Sequence, residues 1–97
     1  MYFVYVLLSD KDSKFYVGFT EDVKRRVEDH QEGKVVSTKH RRPLKLFYYE
    51  AYTNKHDAES RELFLKSGSG KRFIVNQNKR FLENIRGVEQ SGSSSGS

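Results

Sequence analysis

FVYVLLSDKDSKFYVGFTEDVKRRVEDH, residues 3–30, is the stretch from which the rest of the chain is read. Residues 2–9 are rich in aromatic and β-branched side chains, Asp10–Ser13 carries turn chemistry, and Lys14–Phe19 returns to strand composition, which predicts a β-hairpin. A four-residue loop sets Ser9 opposite Lys14, Leu7 opposite Tyr16 and Tyr5 opposite Gly18. Tyr5 and Tyr16 then share one face as diagonal neighbours, with rings in reach at roughly 7 to 8 Å. Gly18 is expected to leave an open space beside Tyr5. Alone, the two tyrosines read equally as ordinary sheet aromatics.

The residues that follow predict a helix. Thr20 or Glu21 is expected to open it, Asp22 favours its positive first turn, and Gly33 closes it. At about 100° per residue, Val23 and Val27 mark the buried stripe, His30 falls between them, and Arg26 lies roughly 60° to one side. A lone histidine there is most often a satisfied core residue. An arginine beside it, at the rim where helix meets sheet, has the chemistry of an anion site.

The remaining composition bounds the answer. At 97 residues the chain is sized for one small domain, and it has no cysteine to form a disulfide or a thiolate metal site. No apolar run approaches the roughly 20 residues that span a bilayer, so a soluble, cytoplasmic protein is expected. Eighteen Lys+Arg against 13 Asp+Glu give +5, which favours a polyanionic partner.

Gly33–Arg42 reads as a basic surface loop, with Lys39, His40, Arg41 and Arg42 presented just before Pro43 for contact with a phosphate backbone. Leu44–Tyr52 is a third strand, with Leu46, Tyr48 and Glu50 on one face and Lys45, Phe47, Tyr49 and Ala51 on the other. Asn54 or Asp57 caps a helix to about Lys66, on which Glu62 lies beside Ala58 and Leu65. A carboxylate so placed is costly without a partner, and a metal ion, Arg61 or Arg26 is expected to answer it. Ser67-Gly68-Ser69-Gly70-Lys71 is not a Walker loop, because Leu65 and Arg72 stand where that loop needs Gly and Ser or Thr. It reads as the end of one helix and the cap of the next, with Lys71 and Arg72 as further nucleic-acid contacts. Residues 73–85 form one or two short helices that close the back of the sheet. Residues 1–88 are taken as the domain and 89–97, Ser/Gly-rich, as a flexible cloning or linker tail. The expected fold is thus α+β, a three-stranded antiparallel sheet flanked by helices.

The ordered set Phe3-Val4-Tyr5, Tyr16-Val17-Gly18, Asp22-Val23-x-x-Arg26-x-x-x-His30, Arg41–Glu50 and Ala58-x-x-x-Glu62-x-x-Leu65-Lys66-Ser67-Gly68 resembles the GIY-YIG nuclease superfamily. It is similar to the small single-domain branch related to the amino-terminal domain of the excision-repair nuclease. Phe3 and Val4 replace the glycine and isoleucine of the first triplet, and Phe19 stands where the excision-repair members carry lysine. The resemblance implies a metal-dependent endonuclease with a DNA-repair setting. It also implies Tyr5 as general base, with His30 hydrogen-bonding or relaying the proton and Tyr16 orienting phosphate or water. Glu62 suits a single Mg²⁺ that keeps most of its waters, with Mn²⁺ able to substitute. Arg26 would hold the scissile phosphate. Some family members place an asparagine near the metal, and Asn76 and Asn78 are both open for that role. Single-stranded or branched DNA is the expected substrate, for a monomer or weak dimer. The competing reading is a non-catalytic module that binds single-stranded nucleic acid through stacked aromatic rings.

Overall fold

β1 (Tyr2–Ser9) is the central strand of the domain and pairs antiparallel on both sides, with β2 (Phe15–Thr20) and with β3 (Leu44–Tyr52). This computed structural model describes residues 1–86, so the proposed tail at 89–97 lies outside the described residues. Helix α1 (Val23–Gln31) follows the hairpin. A single 3-10 turn (Lys39–Arg41) leads into β3, and α2 (Lys55–Lys66), α3 (Gly68–Gln77) and α4 (Lys79–Arg86) complete the described chain. The architecture is the expected α+β one.

The hairpin has the predicted register, with Leu7 opposite Tyr16 and Tyr5 opposite Gly18. Its turn is held by Ser9, whose buried Oγ accepts from Lys11 N at 3.1 Å and Asp12 N at 3.2 Å and donates to Arg41 O at 2.6 Å. Gly18 does not leave open space. The Tyr5 ring lies across it, and a Cβ at Gly18 would collide with the phenol carbons and hydroxyl. The missing side chain is what lets a large ring lie flat against the sheet.

Odd positions of β1 face α1, where Tyr5, Leu7 and Leu44 are buried with Tyr16, Val27 and Leu46 packed against them. Even positions face α2 and α3, where Val4, Val6, Val17, Ala58, Leu65 and Ile74 form the aliphatic core. β3 does not alternate throughout, as the sequence reading assumed. Leu7 pairs with Leu46 and Val6 with Tyr48, so Phe47 is an extra residue and the strand bulges there. The bulge moves Phe47 and Tyr48 onto the aliphatic core while Leu46 stays on the α1 face.

Capping residues set the helix starts. Asp22, not Thr20 or Glu21, caps α1 by accepting from Arg25 N at 3.1 Å; Thr20 instead accepts from Asp22 N and so orients the cap. Gly33, just past the end of α1, has a φ of +80°, the left-handed conformation expected of a helix stop. Asn54 caps α2, and Ser67 both ends α2 and caps α3. Gly70 packs against the α2 backbone at Phe64 and Leu65, so it serves helix packing, in keeping with the rejection of a phosphate loop here. Phe81 of α4 stacks on Phe47 with centroids 5.0 Å apart.

Candidate active site

Tyr5, Tyr16 and His30 form one aromatic cluster on the α1 face. The hairpin register places the two tyrosine rings 6.3 Å apart, and α1 brings the His30 ring to 5.6 Å from Tyr5 and 5.0 Å from Tyr16. His30 is fully buried, and both of its ring nitrogens are engaged. Its Nε2 lies 2.8 Å from the Tyr5 hydroxyl and its Nδ1 lies 2.7 Å from Thr38 Oγ1. Thr38, also fully buried, donates in turn to Val35 O at 3.5 Å. In the tautomer protonated at Nδ1, Thr38 Oγ1 accepts from His30 and donates to Val35 O, and Nε2 accepts the Tyr5 proton. The chain of donors then runs from Tyr5 through His30 to Thr38 without an unsatisfied atom. Thr38 was not a sequence candidate. It sits in what reads as a polar surface loop, and no periodicity marks it as buried.

The electrostatics of this cluster follow from burial beside a cation. Burial pushes the Tyr5 hydroxyl up to about 12, against the opposing pull of the Arg26 guanidinium that faces it. His30 is pushed down to about 4, first by burial and then by Arg26. Arg26 itself is held above its ordinary value by Tyr5. At neutral pH the site therefore contains a protonated phenol, a neutral imidazole and a fixed positive charge.

Glu62 belongs to α2, which packs against both β1 and β2. Ala58 and Leu65 face inward, and Arg61 and Glu62 lie on opposite flanks of that stripe. Arg61 is taken by Glu50 of β3, at 2.8 and 3.1 Å. Of the three partners expected for Glu62, a metal ion, Arg61 or Arg26, neither arginine forms an ion pair with it among the described residues. Lys66, one helical turn on, pairs with it at 3.0 Å, because i and i+4 share a helix face. The Glu62 side chain keeps 21% exposure, so its burial is partial. It is near enough to raise Tyr5 further by charge repulsion. A groove of about 320 Å³ lies next to it, lined by Tyr16, Val17, Leu65, Lys66 and Lys71 among others.

Among the described residues there is no group of three His, Cys, Asp or Glu side chains able to hold a metal. That donor set does not fit a closed zinc or calcium cage. A single ion that keeps most of its waters and takes one carboxylate could be held by Glu62, whose charge reaches Tyr5.

The basic residues divide. Arg41 is structural: its guanidinium pairs with Asp12 at 2.8 Å and donates to Lys14 O and Phe15 O, tying the 3-10 turn to the hairpin. Arg41 is thereby occupied, in contrast to its expected role as a phosphate contact. Lys39 and His40 are exposed, and Arg42 donates to Lys39 O and Gln31 O. Lys71 lines the groove beside Tyr16, and Arg72 is exposed and donates to Ser69 Oγ. Asn78 donates to Ile74 O at the α3–α4 junction, a structural bond, and Asn76 is exposed.

With this geometry established, comparison with known proteins is decisive. The family model of the GIY-YIG catalytic domain matches residues 1–78. The chain belongs to the GIY-YIG family. A UPF0213 protein of Limosilactobacillus reuteri is 47% identical over 68 residues, covering 67% of this chain and 70% of the relative. A UPF0213 protein of Lacticaseibacillus paracasei is 48% identical over 66 residues, covering 67% and 73%. The solution structure of a UPF0213 protein from Bacillus halodurans superposes with a TM-score of 0.53 at 32% identity, covering 94% of this chain and all of that one. GIY-YIG membership puts the chain in a nuclease family. Among the described residues no helix is long and apolar enough to cross a membrane.

Proposed function

We propose that this GIY-YIG domain is a metal-dependent endonuclease that hydrolyses DNA phosphodiester bonds, with single-stranded or branched DNA preferred. The observation that carries the reading is the Tyr5–His30 hydrogen bond, 2.8 Å long, set beside Arg26 and beside Tyr16, which lines the groove. A tyrosine held near 12 is not a phenolate at neutral pH, so it cannot act as a base unaided. Tyr5 therefore acts through a relay. Its oxygen takes a proton from the attacking water while its own proton passes to Nε2 of neutral His30. The resulting imidazolium keeps Nδ1–H on Thr38. Arg26 holds the phosphate and offsets the charge that develops on it. Tyr16 orients the phosphate or the water. Glu62 would hold the metal, Mg²⁺ with Mn²⁺ able to substitute, and the ion when bound would supply Lewis-acid stabilisation of the phosphate.

The test is cleavage of end-labelled single-stranded, duplex and branched DNA in Mg²⁺ or EDTA, comparing the natural chain with Glu62→Gln. Metal-dependent cutting that vanishes in the variant while DNA binding persists supports the reading. Binding without cutting in either protein, across several divalent metals, replaces it with a non-catalytic single-strand-binding module.

A further inference from the structure

The basic segment before Pro43 takes no part in the relay, yet the fold builds a cavity from it. A concavity of about 610 Å³ opens at the turn end of the sheet, bounded by Lys11 of the hairpin turn, Gln31 at the end of α1, and Lys39, His40 and Arg42. No acidic side chain lines it. Among the described residues, no ion pair involves Lys11, Lys39 or Arg42. Asp12, next to Lys11, is neutralised by Arg41, whose hydrogen bonds hold that carboxyl down at about 2. Arg42 is held in place by bonds to carbonyls at 3.0 and 3.3 Å, so its charge is fixed without being cancelled. Its guanidinium also packs against Gly33, where a Cβ would stand 2.8 Å from it. The floor is Leu44, which packs with Tyr5 and Leu7, so the cavity opens on the same face of the sheet as the tyrosine cluster.

We infer that this cavity is a second phosphate-binding subsite, which grips the nucleic-acid backbone several nucleotides from the cut. The inference rests on the nuclease reading and deepens it. Leu44 pairs with Ser9, four residues from Tyr5 along β1. That separation is roughly 13 Å at strand spacing. At roughly 3.4 Å per phosphate along one duplex strand it corresponds to about four phosphates, and to fewer along an extended single strand. Lys11, Lys39 and Arg42 supply charge there with no base-reading geometry, so the subsite adds affinity without sequence preference.

Phosphate contacts are read by salt dependence. Binding of a fluorescent single-stranded DNA, measured by anisotropy in EDTA over a range of salt, is compared for the natural chain, Lys11→Gln, Lys39→Gln and Lys55→Gln. Lys55 is the charge-matched control, beyond the far end of β3. Each of the first two variants is expected to weaken the slope of log affinity against log salt by about 0.7, the contribution of one single-strand phosphate. Lys55→Gln is expected to leave it unchanged. Equal slopes in all four proteins, with metal-dependent cleavage intact, would overturn the subsite and leave the nuclease standing. Absence of any salt-dependent binding by the natural chain would sink both.

Discussion

Glu50 and Tyr5 stand back to back on the same sheet and live under opposite terms. On the α2 face, Glu50 accepts from Tyr48, from Tyr52 at 2.7 Å and from Arg61 at 2.8 and 3.1 Å. Burial pushes its carboxyl up, but these donors together outweigh burial and hold it below its ordinary range. Arg61 is further covered by Phe73 and Phe64, 4.5 and 5.0 Å from the ring centroids. On the α1 face, burial dominates: the Tyr5 phenol is driven up and the His30 imidazole down, and the nearby cation opposes the first shift and reinforces the second. A polar group whose charge is fully partnered locks two elements together. Two buried neutral groups joined by one proton, beside a fixed cation, are poised to transfer it.

The largest expected effect comes from making the same substitution on both faces. Tyr5→Phe should lower cleavage about 10²- to 10⁴-fold, the range for loss of a general base. Tyr48→Phe should leave cleavage unchanged, because Tyr52 and Arg61 still hold Glu50. Both should cost about 1–2 kcal/mol of stability in urea titrations, the scale of a lost buried hydrogen bond. Equal activity losses in the two would erase the distinction between the faces.

Acid should separate the faces next. The His30 pKa falls from 6.5 to about 4 on folding, so the unfolded chain binds a proton first. Stability is full above pH 6.5 and drops by up to about 3 kcal/mol as pH falls toward 4. Glu50 is depressed relative to 4.5, so its contribution is retained above that pH and lost as pH falls further. Urea midpoints measured across this range should show two windows, with His30→Gln flattening the upper and Arg61→Met the lower. A single window that survives both substitutions contradicts the partition.

The smallest effect concerns Thr38. Nitrogen-15 spectra should show His30 protonated at Nδ1 in the natural chain and in Thr38→Ser. In Thr38→Val the tautomer should shift, and cleavage should fall about tenfold, the scale of roughly 1.4 kcal/mol from one lost orienting bond. Identical spectra in all three proteins would remove Thr38 from the relay.

How much of this was legible beforehand depends on range. Hairpin pairing is local: turn length and period-two alternation put Tyr5, Tyr16 and Gly18 in register before any coordinate is known. The position of His30 on α1 follows from helical period, and so does the flank of α2 that carries Glu62. The bulge at Phe47 was not legible, because Leu46-Phe47-Tyr48-Tyr49 is apolar or aromatic throughout and either register satisfies the pattern. Thr38 was hidden for a related reason, since a buried hydroxyl in an irregular segment leaves no periodic mark. Of the partners weighed for Glu62, a metal ion, Arg61 and Arg26, Arg61 had already been claimed by an element distant in sequence, and Lys66 was not among them.

The sequence by itself determined the strands, the helices and which residue types could meet on the Tyr5 face of the sheet, because backbone propensity and alternation act over a few residues. Only the tertiary structure decided which charges are spent. Arg41 and Asp12 are 29 positions apart and pair, while Lys39 and Arg42 beside Arg41 in the chain are left to face the cavity. Long charged side chains choose partners through the packing of whole elements, and that choice is made only when the elements meet.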